Sequence, residues 1–134
     1  MLQRTGLVSA LMDHEELKKE IVEAVMDKLK KECIHLCSIK FLSILRKCTP
    51  EKLRQFSWDQ LLSEWRSEAP LFYQFLETTA MSSSKLNEDV EQIPAVCLAG
   101  SILLRSRNIH MSAVQHILGL LLFHGNASKQ VYSF

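Results

Sequence analysis

Residues Ile93 to Gly125 hold two apolar runs, IPAVCLAGSILL and AVQHILGLLLFHG, joined by the basic link Arg105-Ser106-Arg107-Asn108. Neither run reaches the roughly 20 continuous apolar residues that a membrane-spanning helix needs. The spacing predicts a helical hairpin buried in a protein core. Ala95, Ala99 and Gly100 are small enough to let another helix approach. Val114, Ile117, Leu118 and Leu121 line one face of the second helix. Gly125 is expected to act as a left-handed C-cap. Such a hairpin must be covered by the earlier helices, by a continuation of the chain, or by a partner.

The preceding residues supply helices that could cover it. Asp13 and Glu16 form a capping-box pattern, and Leu17, Ile21, Val25, Leu29 and Cys33 then recur every four residues, predicting one long amphipathic helix to about Leu36. Ser38 to Lys47 is apolar without a clean period and reads as a short helix or an extended connector. Thr49-Pro50-Glu51 starts a short helix, and Ser57 with Gln60 starts the next, which carries Trp58, Leu61, Leu62 and Trp65. Pro70 opens a further helix with Leu71, Phe72, Phe75, Leu76 and Thr79 on one face. Met81 to Gln92 reads as a polar loop, and Asn126 as the cap of a last helix, ASKQVYSF. With only 4 Gly and 3 Pro in 134 residues, the expected fold is an all-α, irregular bundle of about six or seven helices around the apolar C-terminal hairpin. Residues 1–12 are expected to be a flexible lead-in, and 13–134 a single helical domain truncated at its C-terminus.

Net charge is +1, but it is distributed in blocks. Residues 1–27 carry three basic and six acidic side chains, and 28–54 carry eight and two. Residues 55–95 carry two and seven, and 96–134 carry three and none. Blocks of this kind are solvated faces, internally attracting faces or docking surfaces. Lys40, Arg46, Lys47, Arg105 and Arg107, with Lys52 and Arg54 nearby, are the candidates for a nucleic-acid contact. No zinc finger, helix-turn-helix or RNP motif accompanies them.

Cys33 and Cys37 lie four apart with His35 between them, a spacing at which two ligands can share a metal. A structural zinc site needs four ligands. Cys48, His14 and His110 could join only through the fold, so core packing of the thiols is the favoured reading. His110, His116 and His124 have no carboxylate in residues 96–134 to pair with. Trp58, Trp65, Phe72 and Phe75 at helical spacing read as core. No Walker, GxSxG, HExxH or dinucleotide motif is present. No cofactor and no metal are expected. No signal peptide is evident, so the four cysteines are expected reduced in an intracellular protein, with the nucleus a candidate compartment.

From about Glu32 to Phe134 the chain resembles the N-terminal to middle helical region of large, uncharacterised, multi-copy animal proteins that look like mobile-element products. The phrases that carry the resemblance are Ser43-Ile44-Leu45-Arg46-Lys47, Ala69-Pro70-Leu71-Phe72 and His124-Gly125-Asn126-Ala127-Ser128-Lys129. It is a similarity of order and local phrase and carries no catalytic motif. It implies a piece of a larger protein in which a long C-terminal part follows the helical region. The expected function is a non-enzymatic helical interaction module. The alternative is a DNA-contacting fragment of a transposase-like, nucleic-acid-processing enzyme. The expected partner is a protein, the C-terminal continuation of the parent chain, or a second copy, with no membrane partner. Leu118, Leu121, Leu122, Phe123 and Tyr132 are expected to border the surface such a partner covers.

Overall fold

The structure, a computed structural model, describes residues 2–80 and 89–125. These residues form seven α-helices and no strand: α1 Leu2–Met12, α2 Glu15–Leu36, α3 Pro50–Arg54, α4 Trp58–Glu68, α5 Pro70–Ala80, α6 Asp89–Arg107 and α7 Ala113–His124. One 3-10 turn, Ile44–Arg46, lies between α2 and α3. The all-α irregular bundle is therefore what the chain forms. The expected last helix and Tyr132 lie outside the described residues, as do positions 81–88 of the expected loop. Asp89 to Gln92, read as the end of that loop, already belong to α6.

Trp65 is the centre of the core. In α4 the apolar residues recur at i, i+3, i+4 and i+7, so Leu61, Leu62 and Trp65 turn inward together and are buried. The Trp65 ring meets Phe72 of α5 edge-on, with centroids 5.3 Å apart and planes at 80°. Tyr73 is buried beside it, and the expected stripe residue Phe75 stays exposed. α6 crosses on the other side, burying Val96, Cys97 and Leu104. Its Gly100 backbone lies against the Trp65 ring. The end of α2 closes the core with Cys33 and Leu36.

Several helix ends are held from a distance. The first N–H groups of α5 receive the Glu32 carboxylate of α2, which accepts from Leu71 at 2.8 Å and Phe72 at 3.0 Å. Pro70 has no N–H to offer, so one carboxylate satisfies the start of α5 and ties α2 to it. Ser57 caps α4 by accepting from Asp59, without a return bond from Gln60. The capping box expected at Asp13 does not form: His14 is the N-cap of α2 and makes no side-chain cap. The segment expected to be a lead-in is helical, and α1 packs chiefly on α2. Leu2, Leu7, Ala10, Leu11 and Met12 are good helix formers, and the single Gly6 is tolerated.

The connector from Ser38 to Lys47 combines a turn with one short 3-10 helix, Ile44–Arg46. It turns at Leu42, whose φ of 56° lies in the left-handed region, a conformation that costs about 1–2 kcal/mol for a residue with a Cβ. The next two residues are anchored. Glu64 of α4 accepts from Ser43 Oγ at 2.6 Å and from Ile44 N–H at 2.9 Å. The 3-10 turn that follows buries Leu45.

The expected hairpin is not the organising unit. α6 packs on α4 and α5, whereas α7 packs mainly on the 3-10 turn. α7 reaches α6 through Gln115, whose amide donates to the Ser101 carbonyl at 3.5 Å. Only the first turn of α7, with Ala113 and Val114, is buried. Gly125 closes α7 at φ −81°, so the left-handed cap is absent. A run that is apolar on every side has no period to say which side meets the core.

A methyl group added at Gly100 would come within 2.8 Å of Leu76 Cδ1 and closer still to the Trp65 ring. Gly100→Ala is therefore expected to destabilise the fold by about 1–3 kcal/mol, as overpacking of a tight core does. Ala is the better helix former, so propensity alone predicts the opposite sign. Chemical denaturation decides between them.

Candidate interaction surfaces

The five basic candidates do not assemble into one face. Arg46 is engaged: its guanidinium donates to the Cys37 carbonyl at the end of α2. The Asn108 amide reaches the same carbonyl at 3.5 Å. Arg107 lies close enough to Cys33 and Cys37 to favour their thiolates, against the burial that pushes both thiols up. Arg46 thus serves the C-terminus of α2, where the helix dipole is negative and its last carbonyls need donors, while Arg107 is exposed near the thiols. Lys47 is exposed and sits within charge range of Glu64. Lys40 is exposed on the connector. Arg105 is exposed on α6, about 200° around the helix from Arg107.

The cysteines and histidines do not gather. All four cysteines are free, with Cys33, Cys37 and Cys97 buried. Burial, aided by Asp59, pushes the Cys97 thiol up to about 12. Among the described residues no three His, Cys, Asp or Glu side chains are placed to share a metal ion. His35 turns away from its two neighbouring thiols, bonds Glu68 at 2.7 Å and stacks on Phe41. This His–carboxylate pair spans 33 positions, and no local sequence signal could have found it. It joins the ends of α2 and α4 on an open surface, with no nucleophile bonded to it. His110, His116 and His124 are exposed.

The apolar candidates do not share one face: at about 100° per residue Leu118, Leu121, Leu122 and Phe123 are spread around α7, and only Leu121 of them borders α3. Leu118, Leu121, Leu122 and Phe123 are all exposed on α7, Leu121 at 64% and Phe123 at 69%. Leu120, which the sequence reading passed over, is exposed among them. Between this helix and α3 runs a groove of about 410 Å³, lined by Pro50, Leu53, Arg54, Ile117, Leu120, Leu121 and His124. Two of those seven side chains carry or can carry positive charge, and none is acidic. No described helix is long and apolar enough to cross a membrane.

Glu64 is a half-buried carboxylate. Burial raises it above its ordinary 4.5, opposed by the hydrogen bonds from Ser43 and Ile44 and by Lys47. A raised carboxyl contributes stability that is fully present below 4.5 and is lost as pH rises through the folded value. Glu64→Gln cannot ionise. Its stability relative to the native chain is therefore expected to improve as pH rises from 4.5 to neutrality, read by urea denaturation. A pH-independent difference would show that ionised Glu64 is not penalised. No protein-family model, curated protein or solved structure matches this chain.

Proposed function

We propose that the chain is a non-enzymatic helical interaction module, a piece of a larger mobile-element-like protein. In this reading α7 and the groove beside α3 receive an apolar, helical segment of a protein partner or of the parent chain. One observation carries it: a twelve-residue helix without a charged Asp, Glu, Lys or Arg leaves Leu118 and Leu120 to Phe123 uncovered. Contiguous exposed apolar surface of this kind marks an interaction site more often than single scattered residues do. The missing period in α7 suits that use, because a helix buried on two sides needs apolar residues on two sides. The protein is read as intracellular, with the nucleus a candidate compartment.

The DNA-contacting alternative has less support. Arg46 is committed to a backbone carbonyl, Arg107 lies beside the buried thiols, and Lys47 has a carboxylate near it. Lys40, Lys47, Arg105 and Arg107 are exposed, but Arg105 and Arg107 lie on opposite sides of α6, so the four present no single phosphate-binding face.

Helical peptides selected from a display library against the chain are expected to carry apolar residues at i, i+3, i+4 spacing. They should lose affinity at least about tenfold for Leu121→Asp, a loss of roughly 1.4 kcal/mol or more. Peptides indifferent to that change would defeat the reading. So would duplex DNA binding with a steep salt dependence that Lys40, Lys47 and Arg105 neutralisation removes.

A further inference from the structure

The start of α3 offers a side chain that the fold does not use. Thr49 occupies the N-cap position of α3, yet its side chain caps nothing. It is exposed, and so are Lys47 before it and Pro50, Glu51 and Lys52 after it. Its backbone is extended, at φ −68° and ψ 148°, the conformation that a following proline favours. α3 has five residues and none of them is buried, and a helix so short is marginal by itself. A protein that binds at Thr49 can therefore straighten Pro50 to Lys52 at the cost of few hydrogen bonds. The first to go is that from the Leu53 N–H to the Thr49 carbonyl, at 2.9 Å.

The residues around this hydroxyl form the acceptor pattern of one enzyme class. Of the three prolines in the chain, only Pro50 follows a serine or threonine. Lys52 stands three positions after Thr49. We propose that Thr49 is a phosphorylation site for a proline-directed protein kinase. Such an enzyme selects proline after the acceptor because proline lacks the N–H that its active site would leave unpaired. A cation three positions after the acceptor meets an anionic group on the kinase. Thr49 Oγ1 attacks the γ-phosphorus of magnesium-bound ATP. The new O–P bond forms as the bond from that phosphorus to the ADP oxygen breaks, and the hydroxyl proton passes to the kinase's catalytic carboxylate. A kinase that reads basic residues before the acceptor fits less well. Arg46, three positions before Thr49, is half-buried and donates to the Cys37 carbonyl. Pro50 also walls the groove beside α7, so the phosphate brings negative charge to the edge of a groove whose lining has none. The acceptor assignment does not depend on what that groove binds.

Incubating the full chain with a cyclin-dependent-type kinase and magnesium ATP tests this, with intact and fragment mass spectra as the readout. One phosphate per chain is expected, on Thr49. Thr49→Ala should abolish it and Thr49→Ser should keep it, which separates a lost acceptor from a lost fold. Pro50→Ala should abolish it while the hydroxyl remains. Lys52→Ala should lower kcat/KM about tenfold, as the loss of one charge pair across an interface does. Circular dichroism of each variant should match that of the native chain, because all three positions are exposed. A native chain that takes up no phosphate overturns the proposal, and so does a phosphate found elsewhere. Labelling of Thr49 that survives Pro50→Ala also overturns it, and would instead assign a kinase that reads Arg46 and Lys47.

Discussion

The burial of Trp65 is the contact on which the rest of the bundle depends. Its ring is enclosed by Phe72 edge-on, by Leu76 and by the bare backbone of Gly100, so α4, α5 and α6 all meet on one side chain. Burying a group of this size is the largest single apolar gain available to a small core. It carries a cost, since the indole N–H finds no acceptor among the described residues. An unsatisfied buried donor costs on the order of 1–3 kcal/mol, less than an aromatic core residue returns when truncation would remove about 3–5 kcal/mol. Apolar burial decides the balance.

Around that centre, carboxylates perform work that the sequence gives to no cap. Ala69 cannot cap α5, and Pro70 removes one orphan donor, which leaves Leu71 and Phe72 to Glu32. Glu64 does the same for the 3-10 turn. In each case one charge joins two elements far apart in the chain, so losing it would open a helix end and an inter-element contact at once. The partial burial that makes Glu64 useful also penalises its ionisation, and the two hydrogen bonds only partly offset this. Its position next to Leu42 is where a clamp is needed, because a left-handed leucine persists only when its neighbours fix it.

What was legible in the sequence follows from which signals are local. The i, i+3, i+4, i+7 pattern of α4 gave its inward face correctly, since Leu61, Leu62 and Trp65 are one patch on any regular helix. α5 was placed by Pro70, but its face was set one residue off. Tyr73 turns in, and its hydroxyl accepts from Arg66, while Phe75 turns out. The Glu32 and Glu64 contacts and the His35–Glu68 pair span 20 to 40 positions, and no local pattern encodes them. The hairpin failed for a different reason. Apolar content said that α6 and α7 need cover, but not which neighbour supplies it. Gly100 lets another helix approach closely, and that helix is α4, through Trp65.

The same reasoning separates Arg46 from the apolar surface as functional candidates. A cation that follows a helix end in sequence has carbonyl oxygens within reach, and folding uses it there before any ligand can. Arg46 is drawn to the last turn of α2 in this way. An exposed leucine has no comparable local claim. Nothing short of another apolar surface removes Leu120 or Leu121 from water, and the described part of the chain has already spent its buried apolar residues around Trp65. The uncovered side of α7 is therefore the surface that the proposed partner would cover, whereas Arg46 is already held by a backbone carbonyl.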